Sequence, residues 1–199
     1  MSKPFILGLT GSIGMGKSAV AAMFREAGIP VFDADAAVHE LQGPQGALLA
    51  AIEQEFPGST GAQGVDRQKL GAAVFGDPAA LRRLEAIVHP AVAELRKLFL
   101  AEHIASPLIV FDIPLLYEKS GNSGLDAVLV VSASAQQQRA RVLARPGMTE
   151  EKFSKILCLQ VPDADKCRRA DYVIDTGVSL DQTRQSVQQL VQKLTAAEK

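Results

Sequence analysis

The chain alternates between short, uniformly apolar runs and longer stretches in which apolar residues return every three or four positions. Phe5 to Thr10 (FILGLT) is apolar up to its stop at Gly11, the pattern of a strand buried on both faces. Pro30 to Asp33, Leu108 to Ile113, Ala127 to Val131 and Tyr172 to Ile174 read as four further short strands. From Lys17 onward, Ala19, Val20, Met23, Phe24 and Ala27 recur at helical steps, and Gly28 supplies a C-terminal stop. That pattern predicts a helix of about three turns. Near the end of the chain, Leu180, Thr183, Val187, Leu190, Val191 and Leu194 fall on one helical face. Strands alternating with helices predict an α/β fold, a parallel five-stranded sheet with helices on both faces.

One connection is anomalous, because the chain spends roughly seventy residues between Asp33 and Leu108 where a crossover needs about a dozen. A helical insertion over residues 36–105 is expected there, within a single domain spanning residues 1–199. Its helices read as Gln45 to Phe56, Asp66 to Phe75, Asp77 to Val88 with Pro78 in the first turn, and Ala91 to His103. Pro57 to Gly64 and Lys119 to Gly124 carry the composition of loops.

Composition narrows the class. Twenty-one Lys and Arg against 22 Asp and Glu leave a formal net charge of -1, so no global field draws the chain to nucleic acid or anionic lipid. No apolar run reaches the ~18 residues of a membrane span, since Pro107 to Leu116 is interrupted by Asp112. The N-terminus lacks a secretory apolar region, so the expected address is cytoplasmic. Cys158 and Cys167 show no C-x-x-C spacing, and His39, His89 and His103 form no ligand cluster, which indicates reduced, structural thiols rather than zinc.

The candidate chemistry begins where the first strand ends. Gly11, Ser12, Ile13, Gly14, Met15, Gly16, Lys17 and Ser18 fit G-x-x-x-x-G-K-S/T, between a strand and a helix start. Glycines let the backbone wrap around phosphate oxygens with its N–H groups inward, Lys17 reaches the outer phosphates, and Ser18 ligates a divalent ion. This predicts a P-loop NTPase-type fold that binds a nucleoside triphosphate with Mg²⁺. The chain has no N-K-x-D, D-x-x-G or L-S-G-G-Q, so phosphoryl transfer to a small molecule is the strongest class.

Asp33 ends the second strand, and the carboxyl ends of parallel strands face the ligand crevice. It suits an acceptor hydroxyl as orienting base, with a loop carboxylate or an outer partner of Mg²⁺ as the blander reading. Asp35 reads as the N-cap of a short helix. Asp112, on a buried strand, is a candidate Mg²⁺ ligand or a partner of the acceptor or backbone. Arg139, Arg141 and Arg145 lie on or just after a helix from Ala135 to Ala144. Arg141 and Arg145 share a face, fitting either a phosphate-neutralising lid over residues 134–170 or a solvated helix face. Lys166, Arg168 and Arg169 form a second basic set. A lone His89 before Pro90 reads as a cap or core residue.

Together these motifs resemble the dephospho-CoA kinase family. The resemblance rests on LTGSIGMGKS, on DAD followed by His39, on VHP at Val88 to Pro90, on DIPLLYE at Asp112 to Glu118, on the run RVLARPGMT from Arg141, and on RRADYVIDTG from Arg168. It implies a P-loop kinase core, a helical substrate-binding insertion and a helical lid. The implied reaction uses ATP to phosphorylate the ribose 3′-hydroxyl of dephospho-CoA. It implies that Gly11 to Ser18 hold ATP and Mg²⁺ and that Asp33 is the base. His89, Leu115, Leu116 and Glu118 would meet the acceptor, while Arg141 and Arg145 act from the lid. Ser12 stands where the family commonly has Gly, and Cys167 where it has Arg. A monomer or weak homo-oligomer is expected, with no nucleic-acid or membrane partner. The rival readings are another P-loop small-molecule or nucleoside monophosphate kinase, and an ATP-binding regulator.

Overall fold

A computed structural model describes residues 3–118 and 124–196. The loop expected over Lys119 to Gly124 lies outside the described residues apart from Gly124, a turn residue with φ of 83°. The chain begins with β1 (Phe5–Thr10), α1 (Lys17–Glu26), β2 (Val31–Asp33), α2 (Ala34–Gln42), α3 (Leu49–Glu55), β3 (Thr60–Gly61) and β4 (Gly64–Val65). It continues through α4 (Arg67–Val74), α5 (Pro78–Glu102), β5 (Leu108–Asp112), β6 (Ala127–Ser132), α6 (Ala135–Leu143) and α7 (Glu150–Cys158). Then come α8 (Asp163–Arg169), β7 (Tyr172–Asp175) and α9 (Leu180–Ala196).

The five strands anticipated from the apolar runs form one sheet in the order β2-β5-β1-β6-β7. Strand β1 pairs in parallel with β5 and β6, and β6 pairs in parallel with β7. Because strand side chains alternate, each run feeds two cores. On one face Leu7, Leu9, Leu129 and Val131 pack with Val20 and Phe24 of α1 and with Val187, Leu190 and Leu194 of α9. On the other, Val128 and Val130 pack with Leu116 and Tyr117, against which Val161, Cys167 and Ala170 also lie. Leu180 departs from the anticipated helical face: at the first turn of α9 it is 66% exposed.

Residues Asp33–Glu102 form a compact unit distinct from the sheet-bearing one. Its core gathers Leu41, Leu48, Ile52, Phe56, Leu70 and Ala80. Three aspartates begin its helices by accepting backbone N–H groups: Asp33 from Ala36, Asp66 from Gln68 and Lys69, and Asp77 from Ala79 and Ala80. The N-cap of α2 is thus Asp33, with extended φ and ψ of -101° and 108°, and Asp35 falls inside the first turn. The stretch expected to be a loop over Pro57 to Gly64 contributes to the antiparallel β3–β4 ribbon. The two helices anticipated on either side of His89 and Pro90 are one, since α5 runs through Pro90. An interior proline forfeits a backbone hydrogen bond and crowds the preceding turn. Leu84, Ile87 and Val88 before it and Ala91, Val92 and Leu95 after it all pack on the same core, so burial on both sides outweighs that local cost.

Within the sheet-bearing unit, Lys166 of α8 is fully buried, and its Nζ lies 2.8 Å from Oε1 of Glu118. The same Oε1 accepts the Val161 N–H at 3.0 Å. Burial raises the Glu118 carboxyl pKa, but the Lys166 ammonium and the Val161 N–H pull harder, leaving it below the usual carboxylate range. Since the folded value lies below the unfolded one, this contribution is full above about pH 4.3 and fades as pH falls through the folded value. Breaking one side of a buried pair strands the other charge. Glu118→Gln is therefore expected to cost about 3 kcal/mol at pH 7 in urea unfolding, and Glu118→Leu combined with Lys166→Met to recover most of it. A single variant within about 0.5 kcal/mol of the parent would refute the pairing.

Candidate active site

The turn from Gly11 to Ser18 joins β1 to α1 and is shaped by its glycines. Gly14 and Gly16 hold φ of 78° and 85°, a region that costs L-residues with side chains roughly 1–2 kcal/mol. Space is also closed to larger residues: a Cβ on Gly14 would lie 2.5 Å from Cγ2 of Val142, and one on Gly16 would lie 3.0 Å from Oγ1 of Thr176. Gly16 is the N-cap of α1 and provides no side-chain cap. Among the described residues, the N–H groups of Gly14, Gly16, Lys17 and Ser18 meet no acceptor. Free amides opening a helix, with the positive end of its dipole behind them, form an anion site.

Two carbonyls of the same turn, those of Ile13 and Met15, are occupied from outside. Thr176 Oγ1, just past β7, lies 2.9 Å from the Met15 carbonyl, to which it donates, and Gln138 Nε2 of α6 donates to the Ile13 carbonyl at 2.8 Å. Gln160, between α7 and α8, accepts the Ile13 N–H at 3.0 Å, and Ser12 O accepts the Met15 N–H at 3.1 Å. The Ser12 hydroxyl is buried and finds no partner among the described residues. Ser12 has no positive φ, so a side chain replaces the commoner glycine there without backbone strain.

Two charged groups flank the turn. Lys17 Nζ pairs with Oδ1 of Asp112 at the end of β5, the carboxylate almost fully buried and the lysine side chain 18% exposed. Ser18 is exposed, its hydroxyl placed on the first turn of α1. Ser18 and Asp112, the latter with Oδ1 paired to Lys17, offer hard oxygen donors of the kind that Mg²⁺ prefers.

The anticipated arginines separate. Arg141 donates from Nη2 to the Thr176 carbonyl at 2.7 Å and from Nη1 to its hydroxyl at 3.2 Å, so it is anchored next to the residue that holds Met15. Arg145 is exposed and its guanidinium takes no partner among the described residues. Arg139 is spent on an exposed pair with Glu150. The second basic set does not converge: Lys166 is buried on Glu118, Arg168 pairs with Asp165, and Arg169 lies 4.2 Å over the Tyr117 ring. Leu116 is fully buried, Leu115 is 38% exposed, and Glu118 has one oxygen committed to Lys166 and Val161. In the other unit, Asp33 caps α2, and His89 is exposed on α5. Gln138, Gln160 and Thr176 were not singled out from the sequence, where a neutral amide or hydroxyl has no signature of its own. For Thr176 the available signal was its place directly after a strand whose end faces the turn.

This geometry has relatives. The family model for dephospho-CoA kinase matches residues 5–182. A dephospho-CoA kinase of Novosphingobium aromaticivorans is 68% identical over 194 residues, covering 98% of this chain and 96% of its own. One from Mesorhizobium japonicum is 53% identical over 191 residues, covering 95% and 96%. Among solved structures, TT1252 from Thermus thermophilus superposes with a TM-score of 0.85 at 34% identity, covering 97% of this chain and 99% of its own. A dephospho-CoA kinase from Campylobacter jejuni, with a TM-score of 0.67 at 22% identity and coverage of 97% and 98%, shares the fold. A match that begins at the first residue of β1 and ends inside α9 takes in both the turn from Gly11 to Ser18 and the segments that brace it, and the chain belongs to the dephospho-CoA kinase family.

Proposed function

We propose that this chain transfers the γ-phosphoryl group of ATP to the ribose 3′-hydroxyl of dephospho-CoA, giving coenzyme A and ADP. The observation that carries the reading is the set of unengaged amides at Gly14, Gly16, Lys17 and Ser18, aligned at the start of α1. Family membership supports ATP as donor and dephospho-CoA as acceptor, and it disfavours the rival of another P-loop metabolite kinase.

In this reading the 3′-oxygen attacks the γ-phosphorus as the bond to the bridging β-oxygen breaks, and the electron pair leaves with ADP. Asp33 orients the hydroxyl and receives its proton. The Gly11 to Ser18 turn binds the phosphates, and Lys17 neutralises charge that develops on the outer ones. Ser18, with Asp112, would hold Mg²⁺, which would supply neutralisation of phosphate charge. Arg141 and Arg145 serve the transferring group from a lid over residues 134–170, residues 36–105 bind the acceptor through His89, and Leu115, Leu116 and Glu118 also serve acceptor binding. The enzyme acts in the cytoplasm as a monomer or weak homo-oligomer.

Phosphorus NMR of the product tests the reaction: the new monoester belongs on the ribose 3′ position, and a product phosphorylated elsewhere would overturn the reading. Lys17→Ala is expected to lower kcat/KM at least 100-fold in an ADP-release assay, and near-parental rates would remove Lys17 from the site. Asp33→Asn separates two duties of one side chain. Asn still accepts the Ala36 N–H and starts α2, so folding is retained while basicity is lost. kcat should fall about 100-fold with KM for ATP within twofold, whereas weaker ATP binding at unchanged kcat would assign Asp33 to the metal instead.

A further inference from the structure

The structure assigns Gln138 and Gln160 as positioning residues for the phosphate grip, locking two successive peptide planes so that the Gly14 N–H is aimed at the nucleotide. The inference rests on the reading of the turn as an ATP site and deepens it. A trans peptide is planar, with its C=O and N–H pointing in opposite directions. Gln138 Nε2 donates to the Ile13 carbonyl at 2.8 Å, so the Gly14 N–H in the same plane points away from α6, and it is one of the amides that meets no acceptor. Gln160 Oε1 accepts the Ile13 N–H at 3.0 Å, so the Ser12 carbonyl in that plane points the other way, where it accepts the Met15 N–H.

Both side chains are placed to hold rather than to react. Gln138 is 6% exposed on α6, and the Gly14 Cα packs so closely there that a Cβ would lie 3.1 Å from the Gln138 carbonyl. Neither amide titrates, so the lock is indifferent to pH across the working range. Donor and acceptor are also matched: one glutamine supplies its NH₂ to a carbonyl, the other its oxygen to an N–H. Without either bond the Ile13 peptides gain freedom to turn, and the Gly14 N–H is lost from the converging set.

Steady-state kinetics of Gln138→Leu, Gln160→Leu and the double variant test this, with Gln138→Met standing in if the leucine variant fails to fold. Each single change should raise KM for ATP about fivefold to tenfold, the loss of roughly one hydrogen bond, with KM for dephospho-CoA and kcat within twofold. The double variant should fall short of the product of the singles, because both bonds govern the same pair of planes. KM for ATP unchanged within twofold in both singles would overturn the inference, as would equal increases in the two KM values, the mark of a general loss of structure. An inactive parent would instead defeat the proposed reaction, so the two failures are distinguishable.

Discussion

A run of N–H groups left without acceptors at Gly14, Gly16, Lys17 and Ser18 is an arrangement that a chain does not hold on its own, since the glycines that permit it are flexible. The sheet-bearing unit resolves this by gripping the opposite ends of the peptides. Thr176 holds the Met15 carbonyl, and by planarity this orients the Gly16 N–H; Gln138 holds the Ile13 carbonyl and orients that of Gly14. At Gly14 and Gly16 the amide is free while the carbonyl of the same peptide plane is bonded. The grip comes from the middle of α6 and from the residue just after β7, a strand whose Ile174 is buried in the same core as Leu129 and Val131.

The same residues connect the cradle to its cations. Thr176 is bonded through its hydroxyl to Met15 and through its backbone carbonyl to Arg141, so the position of that guanidinium and the orientation of the Gly16 amide depend on one residue. Lys17 is tied to Asp112, which β5 delivers next to β1 through the parallel register pairing Leu9 with Asp112. A partly buried ammonium needs a counter-charge nearby, and a strand end supplies one without a mobile side chain having to be recruited.

Legibility in the sequence followed the strength of each physical signal. Strands β1, β5 and β6 are readable because burial on both faces leaves a polar residue only at their last positions, and the turn between β1 and α1 because its glycines mark a break between strand and helix. Pro90 misled for a definite reason: a local steric rule predicts a break, but Leu84 to Leu95 are held along one core and the helix persists. Asp33 and Asp35 are equivalent N-caps of α2 in sequence, and the extended backbone at Asp33 distinguishes them in the structure. Lys166 was grouped with Arg168 and Arg169 by charge, although its position on α8 turns it inward onto Glu118. Which glutamine holds which peptide was not readable at all, since that depends on where α6 and the α7–α8 connection pass the turn.

The net charge of -1 sharpens what this site has to do. A polyanionic donor gains nothing from the field of the whole chain, so its binding must come from short-range groups. Backbone amides suit that task because their direction is set by the fold and their strength does not vary with pH, whereas lysine and arginine side chains lose entropy on being ordered. An arrangement in which neutral glutamines and a threonine aim the amides, and only a few cations finish the neutralisation, keeps most of the recognition pre-organised. Arg145, exposed and without a partner among the described residues, is then a cation whose position the fold does not fix.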